Sequence, residues 1–256
     1  MNKRNSRRKV TFPNRHGQLL AGILETPAQT PHGFAIFASC FTCGKDVLVA
    51  SRICRRLGEL GISVLRFDFT GLGDSEGTFS ATNFSSNVED LKCAARFLRD
   101  EYQPATLLIG HSLGGAAVLA AAADLPEARA IATIAAPADP SHVLKQFPRA
   151  LEAIKTDGHA EVQLSGRPFI IEQHFVADVS QPQKDMIQNL GRPLLIYHSP
   201  QDQVVSIREA SALFERAQYP KSFICLDKAD HMLSARKDAI YVADTLVAWA
   251  APFLGT

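Results

Sequence analysis

Ser112 stands in Gly110-His111-Ser112-Leu113-Gly114, between the apolar run Thr106–Ile109 and the small residues Gly115, Ala116 and Ala117. A strand, a sharp turn and a helix in that order would expose the serine hydroxyl on a strained backbone. Gly110 and Gly114 suit the turn because Cβ atoms there would collide. Such a hydroxyl is a poor nucleophile at neutral pH and needs a base, itself oriented by an acid. Asp202, in Ser199-Pro-Gln-Asp202, and His231, in Asp227-Lys-Ala-Asp230-His231, supply both in the chain order Ser, Asp, His. Asp230 and Asp227 are rival acids, although Asp230 adjoins His231, and neighbouring side chains in an extended loop point apart.

Two backbone amides would receive the negative charge that attack on a carbonyl creates. Leu113 opens the helix, where N–H groups lack partners, and Phe41 lies in the loop Ser39–Asp46 after an earlier strand. The expected chemistry is acyl transfer: attack by Ser112, proton uptake by His231, and release of the acyl group to water.

These groups must be positioned by a sheet. Apolar runs at Phe34–Ala38, Ile62–Phe67, Leu107–Ile109, Ala130–Ile134, Pro193–His198 and Ser222–Leu226 alternate with helical spacing at 46–60, 83–100, 113–124, 207–217 and 238–251. Val10–Pro27, around Asn14-Arg15-His16-Gly17, reads as a hairpin. The pattern is a mostly parallel eight-stranded sheet covered by helices on both faces. Residues 10–137 and 192–256 would form this core. Residues 138–191 break the rhythm and are expected to cap the ligand crevice, with His111, Phe147 and Phe175 as candidate pocket residues; His142, His159 and His174 could line the pocket but read first as cap core or solvated surface.

The 256 residues, 46% hydrophobic and 21% charged with a net charge of +1, give no global electrostatic case for nucleic acid. Lys3, Arg4, Arg7, Arg8 and Lys9 suggest a disordered basic tail over residues 1–9. No apolar run is long enough to span a membrane. Five cysteines, an odd number with no paired framework, suggest a reducing compartment and a cytoplasmic protein. Cys40-Phe-Thr-Cys43 lies before a helix and could support thiol redox chemistry, but reads first as two small residues in a tight loop. The Gly71/Gly73/Gly77 stretch has the wrong spacing for a dinucleotide loop, and nothing indicates a metal or cofactor.

Four segments carry a resemblance: Ser39-Cys-Phe-Thr-Cys-Gly-Lys-Asp46, Leu65-Arg-Phe-Asp-Phe-Thr-Gly-Leu-Gly-Asp-Ser-Glu-Gly77, Asn83-Phe-Ser-Ser-Asn87 and Gly110-His-Ser-Leu-Gly-Gly-Ala-Ala117. The chain resembles serine hydrolases of the α/β-hydrolase superfamily from near its start to Leu254. It is most similar to the module that many bacterial proteins fuse to an OsmC-like peroxide-reducing domain, and more distantly to cinnamoyl-type esterases and serine aminopeptidases. The resemblance implies the α/β-hydrolase fold and a Ser112–Asp202–His231 triad. It departs from the pattern at Ser39, where such proteins usually carry His, and at Cys40, where many carry Gly. The expectation is a stand-alone esterase acting on small or medium acyl or aryl esters, with thioesters, amides or a non-catalytic ligand-binding role as alternatives. Homodimerisation is left open.

Overall fold

The computed structural model describes residues 5–181 and 186–254. Eight strands form one sheet, β1 (Ser6–Pro13), β2 (Leu19–Thr26), β3 (Gly33–Ala38), β4 (Ile62–Phe67), β5 (Ala105–His111), β6 (Ala130–Ile134), β9 (Leu194–His198) and β10 (Lys221–Cys225), in the order β1-β2-β4-β3-β5-β6-β9-β10. β1 and β2 run antiparallel, as does β2 against β4, whereas every pairing from β4 to β10 is parallel. The loops that carry Phe41, Ser112, Asp202 and His231 therefore leave the same edge of the sheet, beyond the carboxyl ends of its parallel strands.

Alternate side chains of each strand point to opposite faces. On β5, Leu108 joins a core with Phe34, Ile36, Leu65, Ile131 and Ile196 beneath α2 (Phe84–Glu101). Its neighbours Leu107 and Ile109 join the opposite core with Ala35, Phe37, Val64, Leu195 and Tyr197, under α1 (Leu48–Glu59) and α7 (Arg236–Leu254). α2 begins at a capping box: the Asn83 side chain accepts from the Ser86 amide at 2.8 Å and Ser86 Oγ accepts from the Asn83 amide at 2.9 Å. α3 (Leu113–Ala121) is apolar all round and buried, since it lies between the sheet and the segment inserted after β6.

That segment contains 3₁₀ turns at Pro140–Gln146 and Pro148–Ala150, α4 (Leu151–Asp157), the antiparallel pair β7 (His159–Leu164) and β8 (Arg167–Glu172), and α5 (Gln173–Val179). Its apolar residues Val143, Phe147, Ile154, Val162, Ile171 and Phe175 pack on Phe41, Leu113, Ala116 and Ala117. The remaining sheet-flanking helix is α6 (Ile207–Arg216), capped by Ser206, whose hydroxyl accepts from the Arg208 amide at 3.3 Å. Among the described residues no helix is long and apolar enough to cross a membrane.

Two expectations need correction. The basic tail is not a tail over its second half: Arg7, Arg8 and Lys9 lie in β1, paired with Glu25, Leu24 and Ile23 of β2, and Arg7 also reaches Asp46 at 2.9 Å. Their side chains are exposed on an edge strand, where charge is favoured. Lys3 and Arg4 lie outside the described residues. The cysteines do contain a bonded pair, Cys40–Cys43, so the odd cysteine count is no ground for a reducing compartment.

The packing around Gly110 predicts a sharp stability difference. A Cβ there would lie 2.3 Å from the Gly114 carbonyl oxygen, whereas one at Gly158 (φ 83°), after α4, would meet nothing within 4 Å. Gly110→Ala should cost about 3 kcal/mol or more in urea unfolding, and Gly158→Ala about 1–2 kcal/mol, from backbone conformation alone. Equal losses would show that the turn is not close-packed.

Candidate active site

The serine turn is set by three close approaches. β5 ends at His111, Ser112 adopts φ 54° and ψ −126°, and α3 starts at Leu113. A left-handed φ is costly for a side-chain-bearing residue, so the surroundings must over-determine it. A Cβ at Gly114 would lie 2.4 Å from the carbonyl oxygens of both Ala38 and Ser39, and one at Gly115 would meet Ala136 Cβ at 2.4 Å. The Ser112 amide donates to the Ile134 carbonyl at 2.9 Å, which ties the turn to β6. Glycines thus let α3 lie directly on β3, β5 and β6.

The structure brings Ser112, His231 and Asp202 together. His231 Nδ1 lies 2.8 Å from Asp202 Oδ2, and His231 Nε2 lies 3.0 Å from Ser112 Oγ. Asp202 leaves β9 in a turn in which its Oδ1 accepts from the amides of Val204 and Val205, at 2.8 and 2.9 Å. Burial works to raise this carboxyl, but the His231 hydrogen bond, the His231 charge and the two amides outweigh it and hold the pKa below the usual carboxylate value. An ionised Asp202 fixes the imidazole proton on Nδ1, so Nε2 presents its lone pair to the serine hydroxyl. Asp230 is exposed and its Oδ1 accepts from the Ser234 amide, and Asp227 is exposed, so neither rival acid serves His231.

Two buried histidines hold this arrangement. His111 Nε2 donates to the His231 carbonyl at 2.8 Å, and His198 Nε2 donates to the Val205 carbonyl at 2.8 Å, bracing the loops that carry His231 and Asp202. Burial drives the His111 pKa down to about 3 and lowers that of His198, so both are neutral near pH 7.

The loop after β3 reaches the serine from the other side. Cys43 N donates to the Cys40 carbonyl at 3.1 Å, closing a turn with Thr42 at φ 62°, and the two cysteines are bonded across it. Arg167 of β8 donates to the Thr42 carbonyl at 2.7 Å. Phe41 stacks on Phe175, with centroids 5.1 Å apart. Below the loop lies a buried polar cluster that the sequence reading missed. Lys45 Nζ pairs with buried Asp68 at 2.6 Å and with exposed Asp74 at 2.7 Å, while Arg66 Nε donates to the Lys45 carbonyl at 2.8 Å and Arg66 pairs with Glu25 at 2.6 Å. Burial alone would lower the Lys45 pKa, but hydrogen bonds and charges from Asp68 and Asp74 raise it, so the ammonium is retained. The available signal was Arg66 itself, a charge inside an otherwise apolar strand pattern.

Ser112, His231, Phe41 and both bonded cysteines face a cavity of about 420 Å³, closed in addition by Lys145, Gln146, Gln163, Leu164, Gln203 and Met232. The three pocket candidates stand elsewhere. His111 is wholly buried behind His231, because its ring is used to hold that loop. Phe147 and Phe175 are buried in the core joining the inserted segment to α3, where their apolar area is better covered than in a half-polar cavity. Among the described residues no three His, Cys, Asp or Glu side chains are grouped to hold a metal ion.

With a mostly parallel eight-stranded sheet and a serine at the strand–helix turn, the architecture is that of an α/β-hydrolase. The sequence pattern of the serine aminopeptidase S33 family matches residues 43–174, slightly over half the chain, and the chain belongs to that family of α/β hydrolases. It is 47% identical to the esterase domain of a Rhodothermus marinus protein, over 98% of this chain and 100% of that one, with a TM-score of 0.81. The fold is shared with Est1E of Butyrivibrio proteoclasticus, solved with ferulic acid bound, at 18% identity and a TM-score of 0.79, covering 94% of this chain and 99% of that one. The uncharacterized protein YfhR of Salmonella typhi is 25% identical over 187 residues, 69% of this chain, and the chain spans only 57% of that relative's length.

The neutral His111 gives a measurable pH dependence. Its folded pKa, about 3, lies below the ordinary 6.5, so the unfolded chain binds the proton first as pH falls. Its contribution is therefore fully present above about pH 6.5 and is lost on acidification toward pH 3, with a slope of at most about 1.4 kcal/mol per pH unit. Urea unfolding between pH 7 and 4.5 should show a shallower slope in His111→Asn than in the parent, and parallel slopes would contradict a buried neutral imidazole.

Proposed function

We propose that the protein is a serine carboxylester hydrolase that works through an acyl-enzyme on Ser112. The observation carrying this reading is the continuous relay from Asp202 through His231 to Ser112 Oγ, with contacts of 2.8 and 3.0 Å at the floor of an open cavity. Ser112 Oγ attacks the ester carbonyl as His231 Nε2 takes its proton, and ionised Asp202 stabilises the resulting imidazolium. The Leu113 amide, which opens α3 and so has no carbonyl one turn back, donates to the oxyanion together with the Phe41 amide. Collapse expels the alcohol, which receives the proton from His231. Water activated by the same base then releases the acid and restores Ser112. Each step uses only this chain's side chains and amides, and water.

A cavity of about 420 Å³ suits a small or medium acyl or aryl ester. The 47% identity to a protein described as an esterase domain supports ester cleavage. The family description raises peptides with a free amino end as an alternative. A carboxylate near the serine would be needed to pair with that ammonium, and among the described residues lining the cavity none is acidic. That favours esters over such peptides.

Intact mass after exposure to a fluorophosphonate tests the reading. The parent should gain one adduct and Ser112→Ala none, while Asp202→Asn should keep the fold and lose up to about 10⁴ in aryl-ester turnover. An adduct retained by Ser112→Ala, or none on folded parent, would contradict it.

A further inference from the structure

We propose that the Cys40–Cys43 disulfide is a redox lock on the turn that holds the Phe41 amide, so that a dithiol reductant switches hydrolysis down and reoxidation restores it. The inference rests on the ester-hydrolase reading above, in which Phe41 donates to the oxyanion.

Three observations carry it. The bond closes the four-residue turn that contains Phe41, with Cα atoms 5.2 Å apart, and both cysteines line the cavity with Ser112 and His231. The turn needs a left-handed residue at its third position and has Thr42, at φ 62°. Turns of this shape ordinarily place Gly or Asn there, and a β-branched residue is among the least suited. Without the cross-link, Thr42 gains by relaxing to negative φ. The Phe41 ring is buried against Phe175 and Phe79, so the ring resists moving and the rotation falls on the peptide units beside it. The Arg167 bond to the Thr42 carbonyl opposes this change, but it fixes one oxygen and leaves the amide of Phe41 free to turn.

The chemistry is thiol–disulfide exchange. A thiolate of the dithiol enters by the cavity and attacks Sγ of Cys43, which is partly exposed, while Cys40 is buried. The Cys40–Cys43 bond breaks, and Cys40 leaves as a thiolate that takes up a proton. The second thiol of the reductant resolves the mixed disulfide, frees Cys43 as a thiol and becomes the oxidised partner, so two electrons pass to the protein. Cys54, Cys93 and Cys225 are unpaired in the structure, so the change is confined to this turn.

The test uses the full chain, oxidised with diamide or reduced with dithiothreitol, with alkylation counted by mass and both aryl-ester turnover and fluorophosphonate labelling followed. Reduction should add two alkylatable thiols and lower both rates about tenfold or more, since losing one oxyanion donor costs about 10²–10³ in turnover. Diamide should restore them. Thr42→Gly, which accepts positive φ freely, should keep its reduced rate within about twofold of its oxidised rate. Equal parent rates in both states, a thiol count that does not change, or a Thr42→Gly response as large as the parent's would each overturn the lock while leaving the hydrolase reading intact. No turnover or labelling in either state would overturn the hydrolase reading, and the lock with it.

Discussion

The backbone of Ser112, held at φ 54°, is the constraint on which the rest of the structure depends. Such a residue costs about 1–3 kcal/mol and persists only where its neighbours leave no alternative. Here the neighbours are the sheet and α3. Gly110, Gly114 and Gly115 remove the side chains that would separate them, and the Ser112 amide is bound to β6. Once the turn is fixed, its oxygen must project from the carboxyl edge of the sheet. β3, β9 and β10 end on the same edge, so the loops that carry Phe41, Asp202 and His231 reach the serine without long excursions. A parallel sheet is what makes this possible, since it sends every strand end in one direction.

Behind Ser112, His231 and Asp202 the protein uses buried polar side chains to hold loops. His111 and His198 each donate one hydrogen bond to a backbone carbonyl and remain neutral because they are desolvated. Glu25, Arg66, Lys45 and Asp68 also hold a loop, the one after β3, but as paired charges inside the fold, with Arg66 as the donor to the backbone. An ion pair in that position is costly unless hydrogen bonds complete it, and the bond from Arg66 to the Lys45 carbonyl ties the network to the loop it supports.

The fold was legible where the chemistry was local. β4 and β6 were readable to the residue because apolar runs buried on both faces have abrupt ends; Ser112 and Asp202 could be placed because each follows such a run, and His231 because it follows the half-exposed edge strand β10. Long-range pairing was not legible. Nothing in the composition of Arg7-Arg8-Lys9 marks them as an edge strand rather than a tail, since that depends on Glu25 and its neighbours in β2. Two cysteines three apart give no sign of whether the turn between them brings the sulfurs together. The aromatic residues Phe147 and Phe175 suited a pocket as well as a core, and the contact of the inserted segment with α3 decided between them. His111 stood as a pocket candidate, but it ends β5 and its buried ring is used to hold the His231 carbonyl, a contact 120 residues away that no local pattern shows.

The most direct test of the central claim is to trap the acyl group on the serine. The protein would be mixed with a slowly deacylated aryl ester, quenched in acid during turnover, and the peptides mapped by mass. The account predicts a population carrying one acyl group on Ser112, growing in at the rate of the phenol burst and absent from His231→Ala. Turnover with no acylated peptide at any time, or an acyl group on a different residue, would contradict it.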